Sequence, residues 1–279
     1  MPPSSRDRLR PITGRHNPLL KDLRAVYAHG TLTDDGCYAV EGLRGMEEAI
    51  RSSARFRAVF FTDADDATTQ RLTQRLFDQI GHKVETYSVP AKLFQEAVTS
   101  DSPQGVAALV HRKEFTLDDA LRAQPALLVV AAGLQDPGNL GTILRSAEAF
   151  GAGGVVLTEG TVSVYNPKTI RATAGSIFRL PVVAAKLADL IPHLREKQVK
   201  LFATSSHKGT PLHEAPLHES CAIFIGNEGA GLARDVMSKM DATLAIPQAR
   251  PVESLNAGVA ASIILYEAAR QRSLQQGQT

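Results

Sequence analysis

Apolar positions along the chain follow two alternating rhythms: one residue in two over short stretches, and one in three or four over longer ones. These are the signatures of strands and of amphipathic helices. "NPLLKDLRAVYAHG" repeats apolar residues at helical spacing and stops at Gly30, as a helix closed by a glycine does. Beyond it, "CYAVEG", "RAVFFTD", "KVETYSV" and "GVAALV" read as strands, separated by helical patterns in "LRGMEEAIRS", "ATTQRLTQRLFDQIG" and "AKLFQEAV". Together they predict one compact α/β unit over residues 1–112, opening with a basic arm at 1–16. "HRKEFTLDDALRAQP" is charged, poor in apolar residues and closed by Pro125, so a linker is expected over 113–125.

A second unit, 126–279, opens with "ALLVVAAGL", a nearly continuous apolar run of the kind that strands show when both faces of a parallel sheet are covered. Further strands are expected at "GVVLT", "KLFATSS", "CAIFIG" and "ATLAIP", with helices at "LGTILRSAEAFG", "PKTIRATAGSIF", "LADLIPHLREKQ", "LARDVMSKM" and from Ser254 to about Leu274. In that last helix Leu255, Val259, Ile263 and Tyr266 predict a buried stripe. Ala257, Ala260, Ala261, Ala268 and Ala269 make a second, small-residue face. The fold class is α/β throughout, with a doubly wound second domain.

With 279 residues, 43% of them hydrophobic, the chain can bury a substantial core. No apolar run approaches the roughly 18 to 20 residues of a membrane span, and "MPPSSRDRLR" lacks a secretory signal's apolar centre, so a cytoplasmic protein is expected. Cys37 and Cys221 lie far apart without CxxC or Cys/His spacing, which indicates neither a disulfide framework nor a metal site. Charge is informative through clustering. Residues 6–24 carry six cations against two anions, and "NPKTIRATAGSIFRLP" carries Lys168, Arg171 and Arg179 against none, a weak pointer to nucleic acid.

Three stretches carry chemistry. In "DPGNLGTILRSAEAFG" a turn follows a buried strand, Asn139 can cap the next helix, and Arg145 lies a turn and a half deeper; taken alone, a capped helix with one exposed arginine is the ordinary reading of such a stretch. "FIGNEGAGL" runs a strand into Gly226, Gly229 and Gly231, with Asn227 and Glu228 at the loop tip, at the strand end where open α/β sheets place ligands. The pattern is neither a Walker loop nor a GxGxxG dinucleotide fingerprint, so a nucleotide-dependent oxidoreductase is excluded. In "IPQARPVESLNAG" Ser254 serves as an N-cap and Leu255 joins the stripe, which leaves Asn256 over, although an asparagine in a first helical turn is more often solvated or capping than catalytic.

Taken together, the three stretches resemble the SpoU (TrmH) family of RNA ribose 2′-O-methyltransferases, of the SPOUT class. Asn139, Gly141, Arg145, Ala147, Phe150 and Gly151 match its first motif. Residues 226–232 match its second, and Ile246, Pro247, Ser254, Leu255 and Asn256 its third. Gln248 stands where the family more often has methionine, and Ala257-Gly258 replaces a commoner Val-Ser pair. "ITGRHNPLLKDLRAV", "YAVEGLRGMEEAI" and "SDSPQGVAALV" resemble the family's substrate-binding domain, similar to a ribosomal L30-type (L30e-like) RNA-binding protein.

The resemblance implies a parallel sheet threaded into a deep trefoil knot that binds S-adenosylmethionine, with contacts at Thr204, Ser205, Gly226, Asn227, Gly229, Ile246 and Leu255. It implies catalytic roles for Asn139, Arg145, Glu228, Ser254 and Asn256, RNA contacts at Arg15, Lys21, Lys168 and Arg171, and no metal. A homodimer through the C-terminal domain and an RNA substrate, 23S rRNA before tRNA, are the expected partners. The alternative is a non-catalytic RNA-binding or ribosome assembly factor that keeps the methyltransferase fold.

Overall fold

The computed structural model describes residues 9–63, 75–77, 79–80, 84–98, 104–205, 209–249 and 254–276. Most of the helix expected at 67–81 and the arm residues before 9 lie outside them. The chain divides into two compact units, 1–113 with 163–178, and 114–162 with 179–279.

Unit 1 is a five-stranded mixed sheet in the order β1 (Arg10–Pro11), β4 (Glu85–Val89), β3 (Phe56–Thr62), β5 (Val106–His111), β2 (Cys37–Glu41). β1, β4 and β3 run parallel, whereas β5 is antiparallel to β3 and to β2. Helix α1 (Pro18–His29) forms as expected. The Asn17 side chain accepts from the Leu19 amide, and Gly30, at φ 61°, returns its N–H to the Val26 carbonyl.

The unexpected member of unit 1 is the stretch 163–178, taken from between two strands of the other unit. It was expected as one helix over 167–178 but is helical only over Pro167–Ala172. Ala174 and Gly175 then take positive φ, and a 3₁₀ turn follows at Ser176–Phe178. It is tied in by ring contacts of Tyr38 with Tyr165 and Phe178, at 5.3 and 6.3 Å, and by Arg171, 3.5 Å from the nearly buried Glu41 carboxylate. Sequence periodicity cannot reveal which unit a segment joins, because only the partner surface decides it.

Unit 2 holds a seven-stranded, all-parallel sheet in the order β10 (Thr210–Pro211), β12 (Ala242–Ala245), β9 (Lys200–Ser205), β11 (Cys221–Ile225), β6 (Leu127–Ala131), β7 (Gly154–Leu157), β8 (Val182–Ala184). β8, β10 and β1, each two or three residues long, were not expected from the sequence. The expected linker is instead part of this unit. Thr116 caps a short helix, Leu117–Ala120, through a capping box with Asp119, and Ala120 and Leu121 join the core beside Leu128 and Val130. The helix expected at 232–240 is reduced to Arg234–Met237.

The C-terminal helix, Ala257–Gln276, packs on the Pro137–Ala149 helix. The expected orientation is reversed. Ala261, Ile264, Leu265 and Ala268 are buried, while Val259 (46% exposed), Ile263 (36%) and Tyr266 (56%) face outward. Small residues decide the packing, because they let the two helix backbones approach: Gly258 sits where a Cβ would meet Thr142 at 3.1 Å, and the Ser146 and Ser262 hydroxyls are 2.7 Å apart. Arg272 fixes the far end of the helix by donating to the carbonyls of Pro125, Ala126, Leu217 and Glu219. Among the described residues no helix is long and apolar enough to cross a membrane.

Because 163–178 completes unit 1, a chain cut to begin at residue 114 should expose Val164, Ile170, Ile177 and Phe178. It is expected to bind a hydrophobic reporter dye strongly, whereas the same cut with 163–178 replaced by a short polar loop is not. Equal dye fluorescence from the two truncations would contradict this membership.

Candidate active site at the strand ends

In the parallel sheet of unit 2 the C-terminal ends of β6, β11, β9 and β12 lie side by side, the edge where open α/β sheets bind ligands. Each chemistry-bearing stretch leaves one of these ends. Ala131 leads through Gly133 into the Pro137–Ala149 helix, Ile225 into the loop 226–232, and Ala245 into Ile246 and Gln248.

The loop 226–232 folds onto itself. Asn227 and Gly231 exchange two backbone hydrogen bonds, of 3.1 and 2.9 Å, and the Asn227 side-chain oxygen accepts from the amides of Gly229 and Ala230. The Asn227 amide group donates to the Gly133 carbonyl at 2.9 Å, pinning the loop to the end of β6. Gly226 is required by proximity: a Cβ there would stand 2.4 Å from the Gly231 carbonyl carbon. Asn227 is therefore spent on loop architecture, and Gly229 remains exposed at the tip.

This fold aims Glu228 at the start of the Pro137–Ala149 helix. Glu228 Oε2 accepts from the Gln135 amide at 3.1 Å, and Oε1 accepts from the Asp136 amide at 3.2 Å and from Asn139 Nδ2 at 3.0 Å. Asn139 Oδ1 in turn accepts from Asn256 Nδ2 at 2.7 Å, and Asn256 Oδ1 accepts from the amides of Gly258 and Val259. One continuous chain of hydrogen bonds thus joins a residue from each stretch. Partial burial alone would raise the Glu228 pKa, but the bonds from Asn139 and the neighbouring amides outweigh it and hold the carboxyl below the ordinary glutamate range. Glu228 is thus an anchored carboxylate, ionised at neutral pH.

Two capping expectations are corrected. Asp136, not Asn139, is the N-cap of the Pro137–Ala149 helix and accepts from the Asn139 amide at 2.7 Å; Asn139 sits one turn inside, buried. Asn256, not Ser254, caps the C-terminal helix, and Ser254 is exposed in the segment before it. Asn256 therefore takes the cap that sequence alone gave to Ser254, while Asn139 yields its expected cap to Asp136 and bonds to Glu228 and Asn256 instead. Both corrections follow from side-chain reach: a cap must accept from an amide two or three residues on, and that alignment depends on where the helix actually starts.

Arg145 is exposed on the same helix, without an ion-pair partner among the described residues. Thr204 and Ser205 end β9, with the Thr204 hydroxyl donating to the Phe224 carbonyl at 3.1 Å. Ile246 and Leu255 are half-buried, and the buried Gln248 Oε1 has no hydrogen-bond partner among the described residues. Arg15, Lys21, Lys168 and Arg171 all belong to unit 1 and are exposed, whereas Arg179, the third cation of the second cluster, belongs to unit 2 and pairs with Glu148. Sequence reasoning missed Gln135 and Thr161. The Gln135 side chain bonds the Gly133 and Gly160 carbonyls, and Thr161 Oγ1 accepts from the Gly133 amide at 3.0 Å. No spacing rule marks such residues, since each serves a neighbouring loop.

Comparison with known proteins adds independent findings. Residues 126–266 match the profile of the SpoU rRNA Methylase family, and residues 17–108 that of the MRM3-like substrate binding domain. The chain is 33% identical over 258 residues to the 23S rRNA (guanosine(2553)-2′-O)-methyltransferase RlmP of Bacillus subtilis, covering 92% of this chain and 98% of that protein. It resembles the crystal structure of the SpoU methyltransferase AviRb from Streptomyces viridochromogenes in complex with the cofactor AdoMet, with TM-score 0.78 and 26% identity over 92% of this chain and 100% of that one. An rRNA methyltransferase from Sinorhizobium meliloti is equally similar, with TM-score 0.78 and 26% identity over 94% of this chain and 98% of that one.

Replacing Asn139 by aspartate sets a second carboxylate against Glu228 at unchanged size. In the wild type, the stability that Glu228 contributes is complete above its unfolded value of about 4.3 and is lost as pH falls through the lower folded value. Asn139→Asp should lose about 1–3 kcal/mol at neutral pH and regain part of it on acidification, as one carboxyl protonates. Denaturant melts of both proteins across the acid range check this; parallel pH profiles would refute the pairing.

Proposed function

The chain belongs to the SpoU rRNA methylase family, and on that premise we propose that it methylates a ribose 2′-hydroxyl of structured RNA with S-adenosylmethionine, 23S rRNA before tRNA. The observation that carries this reading is the bonded series Glu228–Asn139–Asn256, which draws three separate stretches of sequence to one sheet edge.

The residues present suit the cofactor. The loop 226–232, closed on itself, stands beside the ends of β9 and β12 and offers backbone amides and carbonyls there, and the orphaned Gln248 oxygen is a buried acceptor that an amino or hydroxyl donor would satisfy. Thr204, Ser205, Gly226, Ile246 and Leu255 would line its site. When bound, the sulfonium supplies an electrophilic methyl group. The chain's own task is to align the ribose oxygen and stabilise its charge as the proton leaves. Asn139 and Asn256 hold the neighbouring loops rigid, and Ser254, exposed beside them, is free to meet the ribose. Arg145 meets an RNA phosphate and offsets developing alkoxide charge through its guanidinium; a guanidinium is a poor base, so it acts with its proton in place.

Unit 1, with Arg15, Lys21, Lys168 and Arg171 on one body, grips RNA by its phosphates, and its sheet with flanking helices suits the L30e-like fold. In unit 2, β11 lies between β6 and β9 while β12 pairs outside β9, an order that supports a trefoil knot. The outward apolar face of Val259, Ile263 and Tyr266 supports a twofold dimer centred on the C-terminal helix.

Tritiated methyl incorporation from S-adenosylmethionine into RNA from a strain lacking the enzyme should be robust for the wild type. It should be abolished in Arg145→Ala, with cofactor affinity by calorimetry within a few-fold of normal. RNA binding without incorporation by the wild type would instead identify an assembly factor. For the dimer, Ile263→Glu places charge on the exposed face without touching the protomer core and is expected to yield folded monomers. Ala261→Glu would charge the buried face and unfold the helix pair. Light scattering showing a native monomer of 30.0 kDa would refute the dimer.

A further inference from the structure

Outside the proposed active site, one cluster brings together three unlike ligand side chains. Cys37 opens β2, the edge strand of the unit 1 sheet, and His111 faces it as its direct cross-strand partner on β5. Asp35 stands in the turn just before β2. Cys37 Sγ lies 3.3 Å from His111 Nδ1 and 3.7 Å from Asp35 Oδ2, and one ligand atom from each residue falls within a set no wider than 4.8 Å.

We propose that Asp35, Cys37 and His111 form a binding site for a borderline divalent cation of the zinc class, clamping the edge strand of unit 1. Zinc bonds of about 2.3 Å to sulfur and about 2.0–2.2 Å to nitrogen or oxygen, at tetrahedral angles, place the ligand atoms about 3.5 Å apart. The two sulfur edges of this cluster match that to within a few tenths of an ångström. Mixed sulfur, imidazole and carboxylate donors suit zinc better than magnesium or calcium, which take oxygen alone.

The supporting contacts hold the donors in place. Thr33 Oγ1 donates to Asp35 Oδ1 at 2.6 Å and accepts from the Cys37 amide at 2.8 Å, which fixes the turn and leaves Oδ2 facing the sulfur. Arg57 reaches the same Oδ1 at 3.0 Å, and its charge is shared with Asp22 at 2.8 Å, so it orients the carboxylate without standing unbalanced beside the cation. Arg55 is exposed, and its 3.4 Å contact with His111 Nε2 is long enough to be surrendered. As the metal–sulfur bond forms, the thiol proton passes to solvent, His111 carries its remaining proton on Nε2, and a water arriving from the exposed Asp35 side fills the fourth position. The dry, buried sulfur makes the site structural in kind, joining the 33–37 turn and β2 to β5.

The test uses the full-length protein, stripped with chelator, kept reduced and titrated with cobalt(II). One cobalt per chain should bind with a near-ultraviolet thiolate charge-transfer band, be displaced by zinc, and raise the melting temperature. Cys37→Ser should lose the band while Cys221→Ser keeps it, and Asp35→Asn should keep it with at least tenfold weaker binding, on the scale of about 10- to 100-fold seen when metal-site support is removed. Should Cys37→Ser fail to fold, His111→Gln takes its place with the same expected loss. No thiolate band in the wild type, or a band that survives Cys37→Ser or disappears in Cys221→Ser, overturns the proposal.

Discussion

The proposed site depends on the side chain of Asn139. Its amide nitrogen donates to Glu228 and its oxygen accepts from Asn256, and neither end of this series can be reversed. A carboxylate only accepts, and the backbone amides of Gly258 and Val259 only donate, so each asparagine between them has a single amide orientation that satisfies both neighbours. Half-satisfied buried polar groups are costly, and a fully paired series is correspondingly specific. The arrangement sets the loop 226–232, the start of the Pro137–Ala149 helix and the start of the C-terminal helix in one register.

The rest of unit 2 can be understood as support for that register. Asn227 ties its own loop to Gly133, Thr161 holds Gly133 from the other side, and Gly226 lets the loop close on itself. The two helices whose first turns carry Asn139 and Asn256 are held together by small residues along their length, with Arg272 anchoring the far end to four carbonyls. Rigid elements carry the polar side chains, while the groups proposed to meet RNA are exposed, Arg145 on the surface of the Pro137–Ala149 helix and Ser254 just before the C-terminal helix. Positioning is built in, and substrate contact is left accessible.

Much of this was legible in the sequence, for identifiable reasons. Long apolar runs such as "LLVVA" and "CAIFI" fix β6 and β11, because a strand covered on both faces admits few polar residues. Helix ends were legible where glycine closes them, as at Gly30, and were misassigned where several cap-forming residues adjoin: "DPGN" and "SLN" each offer two candidates. The inward face of the C-terminal helix was misjudged because hydrophobic periodicity ranks Val259, Ile263 and Tyr266 above alanine, whereas close helix contact favours Ala261 and Ala268. Short edge strands and the affiliation of 163–178 leave no periodic trace at all.

The Cys37 cluster shows the same limit from the other side. Ligand motifs in sequence are recognised by short spacing, because a turn or a single helix face can then bring the donors together. Cys37 and His111 are 74 residues apart and meet only because antiparallel pairing sets them opposite each other. Sheet register performs the task that a CxxC turn performs elsewhere, and it cannot be read before the sheet is known. The same holds for Glu228, Asn139 and Asn256, separated by 89 and 117 residues. In both units, chemistry that looked dispersed along the chain is local once strand order is fixed, so the sheet determines which residues can act together and the loops determine how they do so.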